Sequence, residues 1–108
     1  MAVLDIDSIV QQNNDKVYFF SRPGCIYCDK LSNELQICNI PYEIITIEKE
    51  NTESTTQLVE RTSHKTFPQL FIGQEFIGGY DAFIKLIISR KLVDKLEPLG
   101  IHIDLDDF

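Results

Sequence analysis

The chain has 108 residues, 44% of them hydrophobic, enough for one domain with a core of its own. Ten basic against seventeen acidic residues give a formal charge of −7, which argues against nucleic acid as the main partner and fits plain solubility. Three cysteines, an odd and small number, do not make a secreted disulfide scaffold.

The first residues, Met1-Ala2-Val3-Leu4-Asp5-Ile6-Asp7, carry acids and no basic region, so they read as neither a signal peptide nor a transit sequence. No apolar run approaches a membrane span. A cytoplasmic, reducing setting is the expectation. Ile6, Ile9 and Val10 at helical spacing predict a short first helix ended by Gln11-Gln12-Asn13-Asn14. Residues 17–21 predict a strand, rich in aromatics and without clean alternation, as in a strand covered on both faces. Residues 25–39 predict the second helix, which Pro41 ends by pushing Ile40 out of the α region. Residues 42–47 predict a second strand, so that strand, helix and strand form a right-handed unit with parallel strands.

Asn51 or Thr52 caps a third helix reaching Thr62, with Leu58 and Val59 turned inward. Residues 68–72 and 75–77, joined by Gly73-Gln74, predict a hairpin with a type II′ turn. Gly78-Gly79 breaks that strand. Residues 81–89 predict a fourth helix with Phe83, Leu86 and Ile87 on one face. Leu92, Val93 and Leu96 predict a short fifth helix stopped by Pro98. Residues 99–108 read as a loosely ordered acidic tail on a single domain spanning 1–108.

Between the first strand and the second helix stands Arg22-Pro23-Gly24-Cys25-Ile26-Tyr27-Cys28. A Cys-x-x-Cys that opens a helix is a redox geometry, because the helix N-terminus favours a thiolate and the thiolate is the nucleophile. Cys28, Leu31, Leu35 and Cys38 recur at spacings of three, four and three, which is one apolar helix face. Cys28 therefore points inward and Cys25 sits at the open end, so Cys25 attacks and Cys28 resolves the mixed disulfide. The same spacing suits a structural disulfide or half a zinc site. Zinc would draw two more ligands from Cys38, His64 and His102, none of which forms a second closely spaced pair. The redox reading is preferred. Cys38 reads as a core thiol, with a regulatory thiol as the alternative. His64 reads as a surface residue, and His102 carries no role.

Three pieces in order, Arg22 to Cys28, Lys65-Thr66-Phe67-Pro68 and Ile77-Gly78-Gly79-Tyr80-Asp81, resemble the glutaredoxin family over residues 16–96. The resemblance implies an α/β thioredoxin fold, with a four-stranded mixed sheet flanked by helices. It implies a glutathione-dependent thiol-disulfide oxidoreductase of the dithiol, Cys-Ile-Tyr-Cys type, with Cys25 and Cys28 catalytic. Arg22 stands where the family has a lysine facing glutathione's glycyl carboxylate; a solvated surface charge is its other reading. Tyr27 shapes the pocket beside Cys25. Pro68 is cis by resemblance, leaving the backbone of Phe67 to pair with glutathione; a trans proline starting the strand is the alternative. By the resemblance Gly79, Tyr80 and Asp81 receive the γ-glutamyl end; Asp81 also reads as an ordinary N-cap, and the two roles are compatible.

The chain departs from the family at Ile26, Gly24, Phe67 and Ser63-His64; the last stands near a common Gly-Arg and weakens one expected contact to a ligand carboxylate, whose charge Lys65 supplies instead. The partners implied are glutathione and disulfide-bonded or glutathionylated proteins, ribonucleotide reductase among them, acting on a monomer without nucleic acid or membrane. Two alternatives stay open. One is an iron–sulfur carrier holding a [2Fe–2S] cluster through Cys25 and glutathione; the other is a thioredoxin-like reductant.

Overall fold

The structure is a computed structural model that describes residues 2–104. Its elements run α1 Ile6–Gln12, β1 Val17–Ser21, α2 Ile26–Ile37, β2 Glu43–Thr46, α3 Thr52–Thr62, β3 Gln69–Ile72, β4 Glu75–Gly78, α4 Tyr80–Ile88 and α5 Leu92–Leu96. A 3₁₀ turn, Glu97–Leu99, follows. The sheet order is β2-β1-β3-β4, with β1 parallel to β2 and the other two pairings antiparallel. This is the expected four-stranded mixed sheet flanked by helices.

All five residues of β1 are buried, yet the strand alternates. Val17 and Phe19 join Leu70 and Ile72 under α2, α4 and α5. Tyr18 and Phe20 join Phe71 under α1 and α3. The two faces of one strand feed two cores, which is why its sequence shows no polar side. Burying a side chain of this size contributes about 1.5–3 kcal/mol. The helices bring matching faces: Cys28, Leu31, Leu35 and Cys38 are all at most 4% exposed, the stripe read from their spacing.

Buried polar groups fix the loops. Asn51 caps α3 by accepting from the Ser54 amide and donates Nδ2 to the Ala2 carbonyl, while Ser54 Oγ accepts from Leu4 N at 2.8 Å. Gln69, wholly buried, accepts from Thr62 Oγ1 (2.8 Å) and donates to the His64 carbonyl (2.6 Å). At the β3–β4 turn Gly73 takes φ +62, and its amide donates to Lys16 O at 2.8 Å. A Cβ on Gly73 would stand 2.8 Å from the Asn14 carbonyl, so only glycine closes this turn.

Three boundaries differ from the sequence reading. Helix α2 ends at Ile37, two residues short of the expected 39, and it is closed by Asn39 rather than by Pro41. Asn39 adopts φ +58, the Ile40 amide donates to Leu35 O, and the Asn39 amide donates to Gln36 O. This is a Schellman closure, completed before the proline exerts its effect. Pro98 sits inside the 3₁₀ turn, whose first residues need no intrahelical N–H. Residues 99–103 are no loose tail: Leu99, Ile101 and Ile103 pack against the α2–α4–α5 core, hydrophobic residues that the acidic neighbours obscured. The end of the expected tail, 105–108, lies outside the described residues.

Tyr18 stacks on Phe71 (5.3 Å between ring centres), and its buried hydroxyl has no hydrogen-bond partner among the described residues. Burial pushes its ionisation above the usual tyrosine range, with Arg61 opposing. The folded state thus keeps on the phenol a proton that the unfolded chain releases near pH 10, so this stability is full below about pH 10 and is lost as pH rises. Tyr18→Phe removes both the stranded hydroxyl and this alkaline loss. Urea unfolding at pH 7 should show the variant equal to or up to about 1 kcal/mol more stable than the parent. Its decline above pH 10 should be shallower. A clear loss at pH 7 would show that the hydroxyl is hydrogen-bonded.

Candidate active site

Strand β1 delivers the chain to a turn in which the Cys25 amide donates to the Arg22 carbonyl (3.3 Å) and Gly24 takes φ +75. Cys25 is the N-cap of α2, and its sulfur accepts from the Cys28 amide at 3.2 Å. The two sulfurs are joined as a disulfide, with Cα atoms 5.2 Å apart. Cys25 is partly exposed and Cys28 is buried, the asymmetry expected of an attacking and a resolving sulfur. On reduction, Cys25 lies where the first free amides of α2 face a negative charge. Tyr27 is 53% exposed; its ring sits 6.0 Å from Tyr80, and Lys30 Nζ lies 4.9 Å from it.

A second wall is the segment from Ser63 to Pro68. Its backbone is held by Gln69 and Thr62, and the Phe67–Pro68 peptide is cis, as the resemblance implied. A third is the β4–α4 junction. Gly78 takes φ +128, and a Cβ there would meet Ala82 Cβ at 2.9 Å, so the glycine lets α4 turn back directly onto the strand. Helix α4 starts at Tyr80 with Gly79 as its N-cap and no side-chain cap. Asp81 is therefore not the cap, as one reading had it, but the second helical residue.

Between these walls opens a cleft of about 640 Å³. Of the expected residues, Tyr27, Thr66, Phe67, Pro68, Gly79, Tyr80 and Asp81 line it. Lys65 is exposed and stands outside its walls. Arg22 is also outside, and it is no solvated charge. Its Nη2 donates to Thr55 Oγ1 (2.7 Å), and its guanidinium lies 4.5 Å from the Phe67 ring centre. Its Nε is buried without a partner among the described residues.

Two of the lining residues that were not foreseen carry ionisable side chains. His64, read as surface, is half-buried in the cleft, with Nε2 3.0 Å from Thr66 Oγ1 and its ring 5.5 Å from that of Phe76. Lys85 lies one turn beyond Asp81 on α4. The i, i+4 spacing from Asp81 was a usable signal for Lys85; nothing local marked His64, which a buried glutamine five residues away places. Among the described residues no group of three or more His, Cys, Asp and Glu side chains is placed to hold a metal ion.

The glutaredoxin family model matches residues 17–77. Glutaredoxin-C2 of Arabidopsis thaliana is 34% identical over 102 residues, covering 93% of this chain and 90% of that protein. Glutaredoxin-1 of Mus musculus is 32% identical, covering 79% and 84%. Among solved structures, a buckwheat glutaredoxin–glutathione complex superposes with a TM-score of 0.76 at 27% identity, covering 86% of this chain and 88% of that one. A wheat glutaredoxin gives 0.76 at 29% identity, covering 94% and 99%. The architecture is thus the thioredoxin fold of these neighbours.

The site also separates its thiols by reactivity. Burial pushes the Cys38 thiol above its usual range, and the nearby Glu34 carboxylate adds to this. After reduction, iodoacetamide at pH 7 should label Cys25 first under native conditions. Cys38 should remain unlabelled until denaturant is added, as read by peptide mass spectrometry. Native labelling of Cys38 at a comparable rate would mean that the α2 stripe opens readily.

Proposed function

This chain belongs to the glutaredoxin family of thiol oxidoreductases, and from that membership we propose that it uses glutathione to reduce protein disulfides and glutathione mixed disulfides through Cys25 and Cys28. The observation that carries the reading is the asymmetric Cys25–Cys28 pair at the head of α2, next to a cleft with an uncapped helix N-terminus.

Cys25 thiolate attacks the glutathionyl sulfur of a mixed disulfide; a Cys25–glutathione disulfide forms and the protein thiol leaves. A second glutathione thiolate then attacks that disulfide, giving oxidised glutathione and free Cys25. With a protein disulfide, Cys25 attacks one sulfur, and Cys28 attacks Cys25 and releases the second protein thiol. The resulting Cys25–Cys28 disulfide is reduced by two glutathiones, which leave as oxidised glutathione.

The cleft supports glutathione as the reductant. The free amides of α4 suit the α-carboxylate of the γ-glutamyl group, and Asp81 suits its ammonium. Thr66, Phe67 and Pro68 flank the central cysteine. Arg22 acts through Phe67, whose ring it covers, and so positions the segment before Pro68. The buckwheat relative in complex with glutathione supports the same ligand here. Cysteine usage fits a cytoplasmic setting, and the proposal includes a monomer acting on protein substrates, ribonucleotide reductase being one family candidate. For the iron–sulfur alternative, Cys25 is the one exposed thiolate the chain offers, so every further ligand would come from glutathione or a second subunit.

Cys25→Ser should abolish turnover of a glutathione–peptide mixed disulfide in a glutathione-coupled assay. Cys28→Ser should retain most of it while losing protein-disulfide reduction. Normal turnover by Cys25→Ser would sink the assignment. Asp81→Ala should raise the KM for glutathione about tenfold, the effect of losing one charge-assisted contact. Its unfolding midpoint should stay close to the parent's, since Asp81 is exposed. An unchanged KM would place the γ-glutamyl end elsewhere.

A further inference from the structure

His64 is held more firmly than a cleft side chain needs to be. Its carbonyl accepts from the wholly buried Gln69, its amide donates to Thr62 Oγ1, and its ring edge packs on Phe76. The ring is thereby aimed at the start of α4. His64 Nε2 lies 3.7 Å from the position a Cβ on Gly79 would occupy, which puts the imidazole at ordinary contact distance from that cap. Gly79 offers no side chain to the first amides of α4. Two sources of positive potential, an uncapped helix start and an imidazole, therefore converge on one corner of the cleft.

We propose that His64 is a specificity-determining residue of this cleft, which binds the α-carboxylate of the γ-glutamyl group jointly with the α4 amides and strengthens that contact when its ring is protonated. The proposal rests on the glutathione reading above and adds to it a residue and a pH dependence. The charged and titratable groups around His64 are few. Tyr80, Asp81 and Lys85 of α4 and Tyr27 of α2 line the same cleft. Lys65 follows in its own loop. Glu75, at the start of β4, is paired with Lys95, and Arg61, near the end of α3, with Asp7. Carboxylates, lysines and tyrosines ordinarily change charge outside pH 5.5–7.5, whereas imidazole changes within it. The hydrogen bond from a neutral ring already meets an ionised acceptor, and protonating the ring turns that contact into an ion pair with charge on both partners.

The test uses S-methylglutathione, whose blocked sulfur removes thiol chemistry, titrated into the full-length oxidised protein and followed by NMR between pH 5.5 and 7.5. The parent should bind about five- to tenfold more tightly at pH 5.5 than at pH 7.5. His64→Gln should bind at the weaker level throughout, and His64→Lys, charged at both ends of the range, at the tighter level throughout. The analogue with 4-aminobutyrate in place of the γ-glutamyl group lacks the α-carboxylate and should lose the pH dependence with the parent protein. A pH dependence that survives in His64→Gln, or that survives with this analogue, overturns the assignment while leaving glutathione as the ligand. Absence of any S-methylglutathione binding at either pH overturns the glutathione reading and this inference with it.

Discussion

The structure depends on one strand having no solvent face. β1 lies between β2 and β3, and its side chains alternate between two separate cores. Both helical layers are therefore referenced to the same backbone. Because Ser21 is the last residue of that strand, the turn that follows emerges at a defined height above the sheet. Cys25 inherits its position from this arrangement, and α2 is held behind it by the Cys28–Leu31–Leu35–Cys38 stripe. A reactive sulfur at a helix start needs such support, because a displacement of an ångström costs far more rate than stability.

The other side of the cleft is supported by polar rather than apolar burial. Gln69 ties Thr62 and the His64 carbonyl together from inside the sheet, so the segment leading to Pro68 is shaped by hydrogen bonds to a wholly buried side chain. Arg22 then covers Phe67 from outside and is itself tied to Thr55 on α3. The two walls are linked through α3 as well as through the sheet.

Periodicity made the strands, the helices and the inward face of α2 legible, because burial writes itself as a spacing of two or of three to four. The Cys25–Cys28 asymmetry followed from the same spacing. What stayed hidden depended on partners distant in sequence. Asn39 ends α2 through a left-handed closure that composition alone does not signal against the stronger sign of Pro41. Ile101 and Ile103 alternate with charged or polar neighbours, and only the exposed side of the α2–α5 layer explains why they are covered. Arg22 looked like a ligand or a solvent charge until Phe67 and Thr55 were seen beneath it. His64 had no periodic context at all.

The β3–β4 turn limits how this chain can change in length. A two-residue hairpin tip is ordinarily a place where a lineage gains or loses residues without harm. Here one of the two tip residues, Gly73, is buried: a Cβ on it would stand 2.8 Å from the Asn14 carbonyl and 3.6 Å from Leu99, and its amide donates to Lys16. An insertion there would separate the turn from the segment entering β1 and from the packed residues after α5 at the same time. Of the exposed residues Glu48, Lys49 and Glu50, between β2 and α3, Glu48 and Glu50 make backbone hydrogen bonds to their neighbours Asn51 and Thr52 and, among the described residues, none of the three bonds to a distant segment. Divergence in loop length, and any engineered insertion of an epitope or a sensor domain, is therefore steered toward that side of the molecule, away from the hairpin.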